Sequence, residues 1–390
     1  MKFLSVLAIV LALASAEIYF QEKFDEGYED RWVQPTEWKK ADEMGKWGWT
    51  AGKWYGDAED KGIQTSQDAR FYGYSAKMNK VFNNEGKDLV LQFTTKYEQD
   101  IDCGGAYIKL LPSETDQESF GGDSKYSIMF GPDICGSSNQ KTHIILNYKG
   151  QNLESTEKFR AVIDNLSHMY TLIIHPDNTF EYRIDGVEEA HGNLEDGWKF
   201  LPPKMIADPT DKKPADWVDE AQIPDPTDKK PEDWDDIPAE IPDPDAEKPE
   251  DWDDEDDGDW EPPMIPNPEY KGEWQPKMID NPDYKGEWAP RMIENPDYVA
   301  DDKLYNVCKD CEYVGFELWQ VRSGSIFDDI IVCDDVKEAE EFAKETFFKK
   351  VEGEKKMYEE FKEQEKRAQE EELQAASAAD DEDYEEEDDL

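Results

Sequence analysis

The chain has 390 residues, with 95 acidic side chains against 43 Lys and Arg and a formal net charge of −52. A charge of this sign and size argues against nucleic acid and anionic lipid as partners, because both are bound by basic patches. Self-repulsion opposes compaction unless cations gather on the carboxylates, and Ca²⁺ prefers oxygen ligands. The composition therefore favours weak calcium binding at many sites over an acidic surface that only aids solubility.

The N-terminus has the pattern of a secretory signal. Lys2 supplies the positive charge, residues 3–13 the apolar run, and residues 14–16 a small-residue cleavage site. The apolar run is too short to span a bilayer. We expect residues 1–16 to be removed and a soluble protein without a transmembrane segment to enter the secretory pathway, with Asn165-Leu166-Ser167 as a glycosylation sequon.

Residues 17–203 form the first part of a predicted β domain. Short β-rich segments separated by Gly, Pro or polar residues predict strands. The segments are 88–100, 106–111, 126–130, 142–148 and 161–165, followed by a hairpin over 170–186 with its turn at 175–178. Many short strands of even spacing are typical of an antiparallel sandwich or jelly roll. The predicted fold class is therefore mainly β.

Residues 204–298 contain two sets of proline-tryptophan repeats. The first set covers 208–220, 225–236 and 243–255, and the second covers 258–270, 272–284 and 286–298. Nineteen of the 23 prolines lie between 202 and 298, which excludes regular helix. Disorder is the alternative, but evenly placed tryptophans favour local order. Because such short units cannot bury a face alone, we expect a hairpin arm in which each repeat of one set pairs with one of the other.

After the arm, residues 299–335 are predicted to complete the β domain. The segments 314–321 and 326–333 predict a hairpin with its turn at 323–325. From residue 336 to 390 the composition predicts one long helix and then an acidic, calcium-binding tail that is disordered over 380–390. The apolar stripe of the helix consists of Val336, Ala339, Ala343, Phe347, Val351, Tyr358 and Phe361.

Five cysteines are disulfide candidates in a secreted chain. Cys103 and Cys135 lie in matching glycine-flanked settings, and a bridge between them would fix the loops at one end of the neighbouring strands. We also predict one bridge among Cys308, Cys311 and Cys333, with one thiol left free. Cys308 and Cys311 form a weak redox motif because no βαβ pattern accompanies them, and the scattered histidines do not complete a zinc site.

Several segments together resemble the calreticulin and calnexin family of lectin chaperones. They are the KPEDWD and GEWxPxxIxNPxY repeats, three of each, together with residues 61–76, 102–110, 128–136 and 318–329 and the acidic end. The resemblance covers most of the mature chain, and the repeat number and lack of a membrane span favour the calreticulin branch. It implies a legume-lectin-like jelly roll with an extended arm. It also implies binding of monoglucosylated high-mannose glycans on folding glycoproteins in the endoplasmic reticulum lumen.

The resemblance places a sugar site at seven residues, beside a disulfide between Cys103 and Cys135. The seven are Tyr107, Lys109, Tyr126, Met129, Asp133, Glu317 and Trp319. The family has aspartate where this chain has Glu317. Tyr107 and Lys109 alternate along a predicted strand and so share one face. A lone tyrosine is more often an ordinary core residue, but the common location of these residues at a braced loop end favours sugar binding.

The resemblance also implies a calcium site and a partner site. The Asp328 carboxylate and the backbone carbonyls near Lys23 and Lys61 would hold a tightly bound calcium ion. The arm tip would recruit a protein disulfide isomerase relative and a prolyl isomerase through Glu255, Asp257, Asp259 and Trp260. Burial of Trp260 in the hairpin is the alternative. We expect a monomer.

The last four residues, 387–390, keep the acidic pair and final leucine of a KDEL retrieval signal but not its lysine. Residence in the endoplasmic reticulum therefore competes with secretion or cell-surface display. Two functional hypotheses remain: a lectin chaperone without catalytic residues, or a calcium-storage protein with weak or lost lectin activity. A glycosidase would need paired carboxylates, and no strand carries closely alternating acids.

Overall fold

The structure is a computed structural model that describes residues 16–249, 252 and 259–387, with the backbone alone for 375–387. Apart from Ala16, the predicted signal peptide lies outside the described residues. The chain divides into two compact units. One, here called the arm, is Pro203–Asp297, and the other, here called the globular unit, consists of the segments before and after it.

Before the arm, the globular unit is built from fourteen strands in the described residues. They are β1 (Ile18–Glu22), β2 (Trp32–Val33), β3 (Trp47–Thr50), β4 (Gly62–Thr65), β5 (Arg70–Phe82), β6 (Leu89–Tyr97), β7 (Cys103–Gly105), β8 (Ile108–Pro112), β9 (Ile128–Cys135), β10 (Asn139–Tyr148), β11 (Gln151–Glu154), β12 (Ser167–Ile174), β13 (Thr179–Ile184) and β14 (Val187–Asn193). A short helix, α1 (Leu194–Gly197), follows. Its first turn is capped by the Asn193 side chain, which accepts a hydrogen bond from the Glu195 N–H.

The arm contributes short strands, and the globular unit resumes after it. The arm strands are β15 (Met205–Ala207), β16 (Gln222–Pro224), β17 (Glu240–Pro242), β18 (Met264–Pro266), β19 (Met278–Asp280) and β20 (Met292–Glu294). The later elements of the globular unit are β21 (Cys311–Gln320), β22 (Ser325–Cys333), α2 (Val336–Glu345) and α3 (Phe347–Glu387). Short 3₁₀ turns lie at Tyr28–Asp30 and Trp234–Asp236.

Two antiparallel sheets pack face to face, which confirms the predicted sandwich. The first sheet has the order β14-β13-β12-β6-β22-β4-β3, with β1 also paired to β22. The second has the order β11-β10-β9-β7-β21-β5-β2, with β8 between β9 and β21. Between them lies a core rich in aromatic side chains, including Phe93, Phe130, Tyr170 and Phe316. Stacked and edge-on ring contacts within it stabilise the sandwich beyond simple area burial.

Because side chains alternate along a strand, the residues between the core positions lie on the outer face of each sheet. In the first sheet Val90, Ile173 and Ile331 point away from the core and pack against α2 through Ala339 and Phe342. Helix α2 therefore covers the outer face of the first sheet.

The predicted hairpin over 314–321 and 326–333 is wrong, although both strands exist. Strand β21 pairs with β5 and β8 in the second sheet, whereas β22 pairs with β6 and β1 in the first. The turn between them carries the chain from one sheet to the other, with Gly324 at a φ of 128°. Gln320 anchors this crossing, because its amide donates to the Gly105 carbonyl and the Ser325 hydroxyl. Sequence alternation cannot distinguish a crossing from a hairpin.

The predicted strand over 161–165 is also wrong. The Val162 N–H donates to the Tyr170 hydroxyl at 3.1 Å and not to a neighbouring strand. Strand β12, which follows this segment, is already paired on both sides, with β6 and β13. The segment therefore cannot pair with β12. The predicted hairpin over 170–186 is confirmed by the pairing of β12 with β13.

The arm has the pairing that the repeats predict. Strands β15, β16 and β17, which lie just before the three repeats of the first set, pair with β20, β19 and β18 of the second set. Each ladder joins two isoleucines, such as Ile223 and Ile279. Between ladders, the indole N–H groups of Trp217 and Trp234 donate to the Gly286 and Gly272 carbonyls at 2.8 and 3.0 Å. These two tryptophans therefore each link one strand of the hairpin to the other.

The predicted single helix is two helices, because α2 ends at Glu345 and α3 begins at Phe347. The Thr346 hydroxyl donates to the Phe342 carbonyl at 2.7 Å, and the backbone turns there. The backbone of α3 continues to Glu387, so the disorder predicted from residue 380 is wrong as far as Glu387. Residues 388–390 lie outside the described residues.

The cysteines form two bridges in the described chain, Cys103–Cys135 and Cys308–Cys311. The second bridge agrees with the prediction of one bridge and one free thiol among the last three cysteines. The free thiol is Cys333, which is buried beneath α2, and burial raises its pKa to about 12. Cys333 ends β22 in the first sheet, whereas Cys311 begins β21 in the second, so the two thiols belong to different sheets.

Candidate functional site

The outer face of the second sheet holds the residues that were predicted to bind sugar. In β8, β9 and β21 the neighbours of these residues, such as Ile108, Phe130 and Phe316, lie in the core. Alternation therefore turns Lys109, Met129 and Glu317 to the opposite side. We call this surface the site face and define it by Tyr107, Lys109, Tyr126, Met129, Asp133, Glu317 and Trp319.

Lys109 is the buried polar centre of the site face. It lies directly opposite Met129 across one ladder and opposite Gly315 across the other. Its ammonium is 2.7 Å from the Glu317 carboxylate and 4.9 Å from the centroid of the Tyr126 ring, and only 3% of its side chain is exposed. A charge so deeply buried requires a partner, and Glu317 provides it.

Asp133 lies at the other end of the site face. Its Oδ2 accepts hydrogen bonds from Asn139 Nδ2 at 2.7 Å and, at 3.2 Å, from His143 Nε2. Burial opposes ionisation of Asp133, but these hydrogen bonds outweigh it, so the pKa of the carboxyl lies below its usual value. Asp133 is therefore a fixed hydrogen-bond acceptor.

Tyr107 lies between these two ends. Burial, together with the negative charges of Glu317 and Asp133, raises the pKa of its hydroxyl. The phenol therefore stays protonated and can both donate and accept hydrogen bonds at neutral pH. Gly131 makes room for it, because a Cβ at that position would lie 2.7 Å from the Tyr107 Cα.

Trp319 provides an exposed apolar surface. It is 39% exposed, and its ring packs against Phe71 with 4.6 Å between centroids. The two residues are directly opposite each other in the pairing of β21 with β5. A flat aromatic surface of this kind suits the C–H side of a pyranose ring.

The Cys103–Cys135 disulfide fixes one border of the site face. The two cysteines are directly opposite each other where β7 pairs with β9. In the same ladder Gly105 is opposite Asp133, two residues along each strand. The bridge therefore holds the strand that carries Asp133 against the segment that leads to Tyr107.

A second polar cluster contains Asp328, the predicted calcium ligand. Asp60, Asp328 and Asp329 bring carboxylate oxygens within 4.8 Å of one another. We call these three residues the acidic cluster. The Lys350 ammonium of α3 lies 2.8 Å from Asp328 and 2.9 Å from Asp329 and also pairs with Asp60.

The donor set of the acidic cluster suits calcium, which takes carboxylate and carbonyl oxygens. One Asp329 oxygen, Oδ1, is buried without a hydrogen-bond partner. Burial and the neighbouring Asp329 charge raise the pKa of Asp328. Burial opposes the charge on Lys350, but the surrounding carboxylates outweigh it and raise its pKa. The Lys350 ammonium supplies the positive charge at this cluster.

The other two predicted calcium ligands lie near Trp49. The indole N–H of Trp49 donates to the backbone carbonyl of Phe24, the neighbour of Lys23, at 2.7 Å. The Lys61 ammonium lies 4.2 Å from the centroid of the same indole. The next residue, Gly62, packs against Asp328, since a Cβ there would lie 3.2 Å from the Asp328 Cβ. The role of the Lys23 and Lys61 carbonyls stays a prediction.

The predicted arm tip is described only in part. Asp259 is exposed and Trp260 is partly buried. Glu255 and Asp257 lie outside the described residues.

Comparison with known proteins agrees with this architecture. The model of the calreticulin family matches residues 20–257 and 255–332. The chain belongs to the calreticulin family. Calreticulin of Chlamydomonas reinhardtii is 59% identical over 362 residues, which cover 92% of this chain and 86% of that protein. Calreticulin of Dictyostelium discoideum is 55% identical over 356 residues, with 91% and 83% covered.

A solved structure of the same family supports the fold. The globular domain of T. cruzi calreticulin matches with a TM-score of 0.64 and 33% identity, covering 89% of this chain and all of that domain. Among the described residues, no helix is long and apolar enough to cross a membrane.

Sequence reasoning missed several residues that shape the site face. His143 and Asn139 hold Asp133, and Phe71 supports Trp319. Gly122 lies beside Glu317, where a Cβ would be at ordinary contact distance, 3.5 Å, from the carboxylate. His143 alternates with the core residues of its strand, which is a visible signal. Its partner depends on the register of β9 against β10, which the sequence does not contain.

Lys350 was also missed, although its position carries a signal. Lys350, Glu354 and Tyr358 recur at intervals of four, the spacing of one helix face. The predicted stripe contained only apolar and aromatic positions, so a charged residue on the buried side was not considered.

Proposed function

We propose that this protein is a lectin chaperone of the endoplasmic reticulum. In this proposal the site face binds monoglucosylated high-mannose glycans on folding glycoproteins. Membership of the calreticulin family supports a chaperone and lectin role of that type. The observation that carries the proposal is the buried Lys109 ammonium, held between Glu317 and the Tyr126 ring on the open side of the sheet.

The chemistry of the site face suits a polyhydroxylated ligand. Sugar recognition needs an apolar surface for the C–H groups and fixed polar groups for the hydroxyls. Trp319 and Met129 offer the first. The ammonium of Lys109, the phenol of Tyr107 and the carboxylate of Asp133 offer the second.

The same geometry argues against hydrolysis of the glycan. A glycosidase needs one protonated carboxyl as a general acid and a second carboxylate as nucleophile or base. The pKa of Asp133 is lowered, since hydrogen bonds from His143 and Asn139 outweigh burial. Glu317 is engaged by Lys109. We therefore propose binding without catalysis.

Matched tryptophan variants test the glycan proposal. Trp319→Ala removes the apolar surface of the site face, and Trp49→Ala removes an indole of similar exposure, 38%, on the first sheet. Calorimetric titration with a monoglucosylated oligomannose should show saturable binding for the wild type and Trp49→Ala. Trp319→Ala should lose it while its circular dichroism spectrum stays unchanged. Equal binding by both variants would overturn the assignment.

For calcium, we propose two classes of site. The acidic cluster, with Asp328 at its centre, would hold one ion with the help of backbone carbonyls near Lys23 and Lys61. The acidic C-terminal segment would bind further ions weakly, because its carboxylates are many and unpaired in sequence. Equilibrium dialysis with radioactive calcium should therefore give one high-affinity site, lost in Asp328→Asn, above a low-affinity capacity that this variant retains.

The arm provides the proposed partner site. Asp259 and Trp260, with Glu255 and Asp257, would bind the basic surface of a disulfide isomerase relative and of a prolyl isomerase in a small, salt-sensitive contact. Trp260→Ala should abolish this binding, and Trp217→Ala, at the other end of the arm, should not. Unchanged binding by Trp260→Ala would exclude the tip.

A second candidate function is calcium storage with weak lectin activity. The net charge of −52 favours it, and so does Glu317 in place of the aspartate expected from the resemblance. The titration of the wild-type protein separates the two, because storage alone predicts no saturable glycan binding. Secretion is the alternative to residence in the endoplasmic reticulum, and cell fractionation distinguishes the two.

A further inference from the structure

Helix α3 is fixed to the first sheet by polar side chains on one face. The Glu354 carboxylate is 3% exposed and accepts hydrogen bonds from the N–H and hydroxyl of Ser167, both at 2.7 Å. One turn later, the Tyr358 hydroxyl donates to the Asn165 side chain at 3.0 Å, and its ring packs on Trp54. Lys350, one turn before Glu354, belongs to the same face. The buried part of α3 is therefore positioned by specific contacts and not by an apolar stripe alone.

At Lys350 this face reaches the acidic cluster. The ammonium is within 3 Å of the Oδ2 atoms of both Asp328 and Asp329. The Lys350 side chain is 13% exposed and that of Asp329 is 1% exposed. Three carboxyl groups converge on this one ammonium. Lys350 therefore occupies the position that a bound cation would take.

A calcium ion and the Lys350 ammonium cannot share these oxygens. Calcium requires carboxylate oxygens at about 2.3–2.6 Å, and a second cation at hydrogen-bond distance from the same oxygens would repel it strongly at low dielectric. The helix cannot easily move aside while docked. Its backbone packs against Gly56, where a Cβ would lie 2.0 Å from the Lys350 carbonyl, and Gly353 approaches the same glycine.

We propose that Lys350 is an internal competitor for calcium at the acidic cluster, so that calcium enters only when the start of α3 lifts away from the first sheet. The docked helix and a bound calcium ion then exclude each other at the cluster, and calcium releases the helix. This inference rests on the calcium site proposed at Asp328. The ligand is a divalent cation, and the element that moves is α3 from Phe347 onward.

The competition should change the apparent dissociation constant for calcium by a measurable factor. If the cluster is open in only a tenth of the molecules, the apparent dissociation constant for calcium is raised about tenfold. Lys350→Met removes the ammonium and keeps most of the apolar stem. We expect Lys350→Met to bind calcium at the Asp328-dependent site at least about tenfold more tightly than wild type. The matched control is Lys349→Met, because Lys349 is the exposed neighbour on the same helix turn.

The test is calorimetric titration of the full-length protein with calcium chloride, comparing each variant with the same chain carrying Asp328→Asn. Lys350→Met leaves carboxylates without a cation, so its melting temperature in chelator should fall and calcium should restore it. Should Lys350→Met not fold, Tyr358→Ala provides the second test. That change loosens α3 without touching the cluster, and it should also tighten calcium binding.

The outcomes separate this inference from the calcium site itself. Tighter, Asp328-dependent binding in Lys350→Met or Tyr358→Ala, but not in Lys349→Met, supports the competition. Asp328-dependent binding of equal affinity in all chains would overturn the competition and leave the calcium site standing. An Asp328→Asn change without effect in any chain would overturn both. Hydrogen exchange adds an independent readout, because calcium should speed exchange in residues 347–361 of the wild type.

Discussion

The ammonium of Lys109 lies 2.7 Å from the carboxylate of Glu317, across two neighbouring strands of the second sheet. Lys109 is 3% exposed and the Glu317 side chain 13%. The longer glutamate side chain, which stands where the resemblance leads one to expect aspartate, thus reaches Lys109 directly. The pair places a positive charge at a fixed position beneath the site face. The Glu317 carboxylate replaces the water that would otherwise surround the Lys109 ammonium.

The first prediction concerns the free energy of unfolding. Glu317→Gln leaves the buried Lys109 ammonium without its counter-charge, so the protein should lose about 3 kcal/mol. The control is Glu312→Gln on the same strand, whose partner Lys77 is 59% exposed, and it should cost less than about 1 kcal/mol. Urea unfolding of the three proteins measures both values. Equal losses would contradict the buried-pair account.

A second prediction concerns pH. Burial opposes the charge on His168, but hydrogen bonds with Asp164 at 2.9 Å and Asp185 at 2.7 Å outweigh it and raise its pKa to about 9. The unfolded pKa is about 6.5, so the stabilisation is fully present below that pH and is lost as the pH rises through about 9. It amounts to at most about 3 kcal/mol.

Urea midpoints between about pH 6 and pH 10 check this dependence. The wild type should become less stable with rising pH, and His168→Gln should show a flatter profile from a lower starting value. His191→Gln is the control, since that ring is 72% exposed beside Glu188. A His168→Gln profile parallel to that of the wild type would exclude the proposed ion pairs.

A third prediction concerns the sequon at Asn165. Its Nδ2 donates to the carbonyls of Tyr97 at 3.0 Å and Gln99 at 3.3 Å, while Oδ1 accepts from Tyr358. N-glycosylation attaches a bulky polar group to Nδ2 and would disrupt these contacts. We expect the folded protein from a eukaryotic host to carry no glycan at Asn165. Intact mass before and after peptide N-glycosidase should agree; a glycosylated chain with unchanged melting temperature would contradict this.

A fourth prediction concerns the arm. Trp234→Ala removes the N–H donor to Gly272 and the ring beneath the Lys271 ammonium. The free energy of local opening in the flanking ladders should fall by about 2 kcal/mol. Their amide hydrogens should therefore exchange roughly thirtyfold faster. The effect should reach β16–β19 and β17–β18 but not β15–β20. In Trp217→Ala the faster exchange should instead affect β15–β20 and β16–β19. Equally faster exchange along the whole arm would contradict the account in which each repeat pair is stabilised separately.

Much of the fold is visible in the sequence because periodicity records it directly. The alternation around Lys109 and Met129 identifies strands with one buried face, and the repeats identify the ladders of the arm. What the sequence does not record is which sheet each strand joins. The segments on either side of Gly324 look like a hairpin, yet Gln320 and Ser325 bond across a crossing between sheets.

The same limit applies to the functional residues. A resemblance can locate Asp133 and Asp328, but their immediate surroundings depend on long-range register and helix docking. His143 reaches Asp133 only because β10 pairs with β9 in one particular register. Lys350 reaches Asp328 only because the chain turns at Thr346, between α2 and α3, and α3 packs on the first sheet.

The most direct measurement of the central claim is a calorimetric comparison of two glycans. The wild-type protein is titrated with a monoglucosylated oligomannose and with the same oligomannose lacking the glucose. The account predicts saturable binding of the glucosylated glycan and an affinity at least about tenfold lower for the other, a difference of about 1.4 kcal/mol. Equal affinity for the two glycans, or no binding of either, would contradict it.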